Sequence, residues 1–171
     1  MTTAPKPYTR SYHWHALYTK PRWEKKIQRE LELRGYEHYL PLVMRVKQWS
    51  DRKKKVEEPL IKSYIFVRVS EKEYYDVLNI NGAVAYVSFE GKAAPIPDWQ
   101  IEAVSKTIDK MLPFEITGEK LKPGEHVKIK EGDLKGLEGE ILRIKGKNKL
   151  VIRIESVGYS LVVEMDSQNL G

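Results

Sequence analysis

From Glu125 onward the chain carries no helical stripe, and this constrains the fold more than any other feature of the sequence. "HVKIK", "EGEILRIK", "NKLVIRIES" and "YSLVVEM" alternate apolar and polar residues over short runs, and glycine-containing turns separate them. Short alternating strands of this kind predict a small five-stranded β-barrel over 121–171, an architecture that removes sheet edges by closing. Before it, Pro113 to Lys120 loses all period and gains Pro, Gly and charge, which predicts a linker over 113–120.

Residues 1–112 have a different texture. "HWHALYT" reads as a strand, and Pro21 suits the first position of a following helix. Trp23, Ile27 and Leu31 give that helix one apolar stripe, with Glu24, Lys25, Arg29 and Glu32 facing water and Gly35 ending it. "EHYLPLVMRV" and "PLIKSYIFVRV" read as antiparallel partners joined across a basic knot, which makes the knot a hairpin tip. Ser70 to Glu73 fits a capping box, "AVAYVSF" is a further strand, and "IPDWQIEAVSKTIDKML" reads as a third helix capped by Asp98. Hairpin-joined strands mixed with helices imply an α+β sandwich on an antiparallel four-stranded sheet.

Composition bounds what two such units can do. The 171 residues contain no cysteine, so packing rather than disulfides or thiolate-bound metal must hold each unit. "MTTAPKPYTRSY" offers no apolar run for a signal sequence, and no stretch approaches a membrane span; a soluble, cytoplasmic setting is the expectation, without membrane contact. The net charge of +6 is local: Arg45 to Lys55 holds six basic residues against Asp51, whereas Ile116 to Gly171 balances 10 basic residues with 9 acidic ones.

Catalytic chemistry finds little footing. Gly132, Gly136 and Gly139 lack the Lys-Ser/Thr ending of a phosphate loop and read as turn glycines. His13 and His15 share a strand face but have no third ligand, and Glu57 and Glu58, adjacent on a strand, point to opposite faces. The expectation is a binding protein, not an enzyme, with neither metal nor cofactor.

"HWHALYTKPRWEKKIQREL", "EPLIKSYIFVRV" and "GAVAYVSFEGKAAPIPDWQI" resemble, in order, three signature stretches of the N-terminal domain of the NusG family of transcription elongation factors. "KPGEHVKIKEGDLKGLEGEIL" resembles the KOW motif that opens the family's C-terminal barrel, with Val127, Ile129 and Ile141 as its apolar alternation, Gly132 and Gly136 in its turn and Gly139 as its most characteristic glycine. The wording resembles the specialised RfaH and UpxY branch, the antiterminators of surface polysaccharide operons. The resemblance implies a monomer whose N-terminal domain grips the clamp helices of RNA polymerase and suppresses pausing and termination. It places Tyr18, Ile61, Tyr64 and Phe66 at the polymerase. It also places Lys20, Arg22, Trp49, Arg52, Lys53, Lys54 and Lys55 near upstream or non-template DNA, where Trp49 stacks on a base. A ribosomal protein or another factor is the implied partner of the barrel. Two positions depart from the family: Lys62-Ser63 replaces a usual Pro-Gly, and Val157 stands where an aromatic meets the ribosomal partner, with Tyr159 as a substitute on the same strand face. A KOW-type RNA-binding module of the translation apparatus and a housekeeping member of the same family are the alternatives. The near-neutral C-terminal third weighs against the former.

Overall fold

The computed structural model describes residues 11–166, so Met1 to Arg10, where most of the signal-sequence reading falls, lie outside the described residues. Strand β1 (His13–Thr19) is followed by helix α1 (Glu24–Arg34), strands β2 (Glu37–Tyr39), β3 (Leu42–Gln48), β4 (Lys53–Pro59) and β5 (Tyr64–Val69), helix α2 (Glu71–Leu78), strands β6 (Ala83–Tyr86), β7 (Ser88–Phe89) and β8 (Lys92–Ala93), and helix α3 (Asp98–Asp109). The second half is all β: β9 (Phe114–Thr117), β10 (Glu125–Lys128), β11 (Glu138–Ile144), β12 (Lys147–Ile154) and β13 (Tyr159–Glu164), with a 3-10 turn at Glu155–Val157. Among the described residues no helix is long and apolar enough to cross a membrane.

The expected antiparallel four-stranded sheet is present, in the order β2-β5-β1-β6. Alternation along its strands sorts two cores. Leu17, Ile65 and Val67 share one cluster with Ile27 and Leu31 of α1 and Val77 of α2. Trp14, Ala16 and Phe66 belong to the other, with Ile101 and Val104 of α3. Helix ends follow the local chemistry. Gly35, at φ 76°, closes α1 with Gly35 N–H to Glu32 O and Tyr36 N–H to Leu31 O, and Ser70 and Glu73 form the reciprocal capping box of α2.

Several boundaries differ from the sequence reading. Helix α1 starts at Glu24, three residues after Pro21, because Lys20 to Trp23 first make a turn that seats the Trp23 ring against Gly82. A Cβ at Gly82 would lie 2.5 Å from that ring, so the contact needs glycine. Asp98 is the first residue of α3 rather than its cap, and its carboxylate reaches to 3.7 Å from Arg68 Nη2. "EHYLPLVMRV" is two strands, broken at Leu40-Pro41 where proline has no N–H to give a ladder. Consequently β2 pairs with β5, whereas β3 pairs with β4 in a separate two-stranded ribbon. Most of the basic knot is therefore strand β4, and the tip is the Trp49–Arg52 turn, closed by Trp49 N–H to Arg52 O at 2.8 Å. "AVAYVSF" likewise divides into β6 and β7.

The barrel sheet runs β10-β11-β12-β13-β9. Its fifth strand, β9, comes from the stretch expected to be linker: Phe114 and Ile116 alternate with Glu115, and β9 adds to β13. Strands β9 and β10 are its two edges, so the ladder does not close between them. Gly132 and Gly136 have left-handed φ in the turns between β10 and β11, as expected, but Gly139 lies inside β11. Its Cβ would sit 2.6 Å from Val151 O, so the close approach of β12 is what requires glycine there. The two halves also pack together. One apolar cluster continues from Trp14, Phe66 and Val104 to Leu137, Leu150 and Leu161 of the barrel. Lys106 Nζ and Lys110 Nζ donate to the carbonyls of Gly136 and Lys135, and Trp99 meets His126 edge-on at 4.9 Å.

Candidate functional site

Tyr18 and Tyr64 are directly opposite in the β1–β5 register, and their rings lie 5.5 Å apart at an interplanar angle of 55°. Tyr18 is 40% exposed and Tyr64 half-buried, so the pair forms an aromatic step at the end of the sheet, on the face that α3 covers further along. Burial raises the pKa of the Tyr64 hydroxyl, and the neighbouring Tyr18 and the barrel's Tyr159 raise it further. Ile61 precedes β5, outside the strand alternation, and joins the same cluster as Phe66. At 4% and 1% exposed, these two back the tyrosine step from below and offer no surface of their own. Direct contact by Ile61 and Phe66 is the part of the sequence expectation that the packing does not support.

What holds the step is the turn at Lys62-Ser63. Ser63 has φ 68°, a conformation that glycine tolerates at no steric cost. Its N–H donates to Glu24 Oε1 at 3.0 Å, and its carbonyl accepts from Thr19 N–H at 2.8 Å. Glu24 was expected in water, yet it is 6% exposed because its carboxylate serves this turn. No sequence period betrays such an acceptor; the departure from Pro-Gly at Lys62-Ser63 is the one signal. Glu24→Ala is expected to cost about 1–3 kcal/mol in urea unfolding, by leaving the Ser63 N–H unmade. A stability equal to wild type would show that water replaces the carboxylate.

Lys20 and Arg22 are exposed beside this turn, Arg22 at φ 67°. Lys20 Nζ and Lys26 Nζ lie 5.9 and 4.5 Å from the Trp23 ring centroid, so the aromatic that seats α1 also carries two cations.

The ribbon register divides the basic knot between two faces. Lys47 is opposite Lys54, Arg45 opposite Val56, and the tip places Trp49 against Arg52, so Arg45, Lys47, Trp49, Arg52 and Lys54 share one face. Glu58 is on that face too, with Arg45 Nε and Lys47 Nζ each 3.0 Å away. Its hydrogen bond to Lys47 is the main cause that holds the Glu58 carboxyl below the ordinary carboxylate range. Like charges placed opposite one another weaken a two-stranded ribbon. The Lys47/Lys54 pair is thus a local cost that a polyanion would relieve. Lys53 and Lys55 belong to the other face, so the contiguous cationic set gains Arg45 and Lys47 and loses those two. Simple period-2 counting from the tip finds this division once the turn is placed at Trp49–Arg52.

On the α1/α2 side of the sheet, His15 is 9% exposed, and its ring meets Tyr74 and Tyr86 edge-on at 6.0 and 5.6 Å. His13 lies nearby on the same strand face; among the described residues no group of three His, Asp or Glu side chains is placed to hold a metal. Burial lowers the His15 pKa below 6.5, and the His13 charge lowers it further. The folded chain therefore takes up this proton less readily than the unfolded chain does, and stability rises with pH wherever the unfolded state binds more protons. The expected result is stability held above about pH 6.5 and lost as pH falls below it, by at most about 1.4 kcal/mol per pH unit. In pH-dependent urea unfolding, His15→Phe should remove that portion of the slope; an unchanged slope would assign it elsewhere.

In the barrel, Val157 sits in the 3-10 turn at 8% exposed, and Tyr159 begins β13 at 39% exposed. They share no strand face, so Tyr159 does not stand in for an aromatic at Val157.

Comparison with known proteins agrees with this division. The family model described as transcription termination factor nusG matches residues 12–105, and the KOW motif model matches residues 123–153. No curated relative matches. Among solved structures, one of Thermotoga maritima NusG, on its domain interaction, is 20% identical with a TM-score of 0.45 and covers 90% of this chain and 94% of that one. Conformation B of the MjSpt4:Spt5 complex is 17% identical with a TM-score of 0.31 and covers 90% and 99%.

Proposed function

The chain belongs to the NusG family of transcription factors and carries a KOW motif in its second half, and on that premise we propose that it is an antitermination factor that travels with RNA polymerase. The observation that carries the proposal is the Tyr18–Tyr64 step: two aromatic rings with centroids 5.5 Å apart, one of them 40% exposed, at the end of the four-stranded sheet. Exposed aromatics backed by a packed core are the usual anchors of a protein interface. In this reading they meet the clamp helices of the polymerase, with Ile61 and Phe66 fixing their position from beneath.

The basic face of the ribbon then lies toward upstream or non-template DNA, with Trp49 available to stack on an unpaired base. Sequence-independent contacts of this kind hold only about 10⁻⁴ to 10⁻⁶ M on their own at physiological salt. Docking through the tyrosines raises the local concentration of DNA, so weak contacts suffice. The barrel, bordering the step through Tyr159, is left for a second partner such as a ribosomal protein. The resemblance to RfaH and UpxY proteins supports action at particular operons, surface polysaccharide loci among them.

Single-round transcription through an intrinsic terminator tests the proposal. Read-through should rise when the purified protein is added to elongation complexes. Unchanged or increased termination at saturating protein would contradict it.

A further inference from the structure

A polyanion accounts for one face of the β3–β4 ribbon and leaves the other unexplained. On that second face Met44 and Val46 are 60% and 64% exposed. They are two residues apart on one strand, so both point the same way and make a continuous aliphatic strip. Glu57 lies across from Met44, Lys55 across from Val46, and Lys53 across from Gln48. Glu57 is engaged by α1: Lys25 Nζ lies 3.8 Å from its carboxylate and donates to its backbone carbonyl at 3.0 Å. That contact ties the base of the ribbon to α1, and among the described residues Lys53 and Lys55 are the charges on this face without an ion-pair partner.

Lone two-stranded ribbons are marginal in water, and aliphatic side chains left exposed on one do nothing to stabilise it. Neither Met nor Val has the flat π surface on which an unpaired base stacks, and the ribbon's aromatic, Trp49, is on the opposite face. An apolar strip with cations beside it fits a protein surface in which carboxylates border an apolar patch.

We infer that the Met44/Val46 face is a second protein-docking strip whose occupant is a carboxylate-rimmed apolar surface of RNA polymerase, so that protein grips one side of the ribbon and nucleic acid the other. The inference rests on the polymerase-binding reading above and adds a contact remote from the tyrosine step.

The test uses the full chain with two variants, Met44→Ser/Val46→Thr and Lys53→Glu/Lys55→Glu, each checked for an unchanged melting curve. Affinity is measured for core RNA polymerase free of nucleic acid, and separately for single-stranded and duplex oligonucleotides. The first variant should bind core polymerase about tenfold more weakly, as expected for losing an interface anchor, while its oligonucleotide binding stays at the wild-type level. The second should also bind the polymerase more weakly. Wild-type affinity of both variants for core polymerase, or a loss by the first confined to oligonucleotides, would overturn the inference and leave the tyrosine reading intact. A wild-type chain that does not bind core polymerase would instead overturn the reading beneath both.

Discussion

Replacing Tyr18 and Tyr64 together by alanine should lower affinity for RNA polymerase about a hundredfold while leaving the chain folded. Buried interface aromatics commonly cost about 2 kcal/mol or more on truncation, and two that touch act as one anchor rather than adding in full. About 3 kcal/mol is therefore a fair expectation, which corresponds to roughly two decades in Kd. Stability should move much less. Tyr18 is 40% exposed and Tyr64 half-buried, so neither truncation opens the central core. The contrast is Phe66→Ala: at 1% exposed it should cost about 3–5 kcal/mol in unfolding and abolish binding only by unfolding the domain. Equilibrium binding with parallel denaturant melts separates the two. Undiminished affinity in a folded Tyr18→Ala/Tyr64→Ala chain would remove the step from the interface.

The second large effect falls in the barrel. Gly139→Ala would place a methyl group 2.6 Å from Val151 O, a backbone atom held in the β11–β12 ladder. Relief requires the ladder to part, at about 3 kcal/mol, which is comparable with what a unit of some 50 residues has in hand. The variant's amide spectrum should therefore lose the dispersed resonances of β9 to β13, and those of Trp14, Phe66 and Val104, which share the barrel's apolar cluster, should shift. Gly118→Ala is the control, because its Cβ would meet nothing nearer than 3.5 Å. A Gly139→Ala spectrum with every barrel resonance in place would show that β12 can move aside.

The elements that strong local patterns announce are those that formed as expected. Ser70 and Glu73 write a capping box into four residues, Gly35 marks an end, and the Ile65/Val67 and Tyr64/Phe66 alternation assigns both faces of β5. What stayed hidden depends on partners distant in sequence. The basic run of Lys53 to Lys55 has no apolar period, and it becomes a strand because β3 lies alongside it. Phe114 to Thr117 looks like linker until β13 offers an edge. Glu24 reads as solvent-facing by helical period and is buried by a turn 39 residues away. Of the candidate site, Tyr18 and Tyr64 were named by the family resemblance, and only the β1–β5 register places them opposite one another. The burial of Ile61 and the division of the lysines were not legible, since both follow from where two turns close.

The salt dependence of binding to RNA polymerase elongation complexes, for the wild-type chain and for Arg52→Ala/Lys54→Ala, separates the tyrosine contact from the contact of the ribbon with DNA most directly. Each phosphate contact on duplex DNA contributes about −0.9 to the log–log slope. The variant should still bind at low salt through Tyr18 and Tyr64, with a slope shallower by about 1.8 for two lost contacts. Identical slopes for the two proteins, or wild-type affinity in a folded Tyr18→Ala/Tyr64→Ala chain, would contradict binding through the tyrosines with the ribbon on DNA.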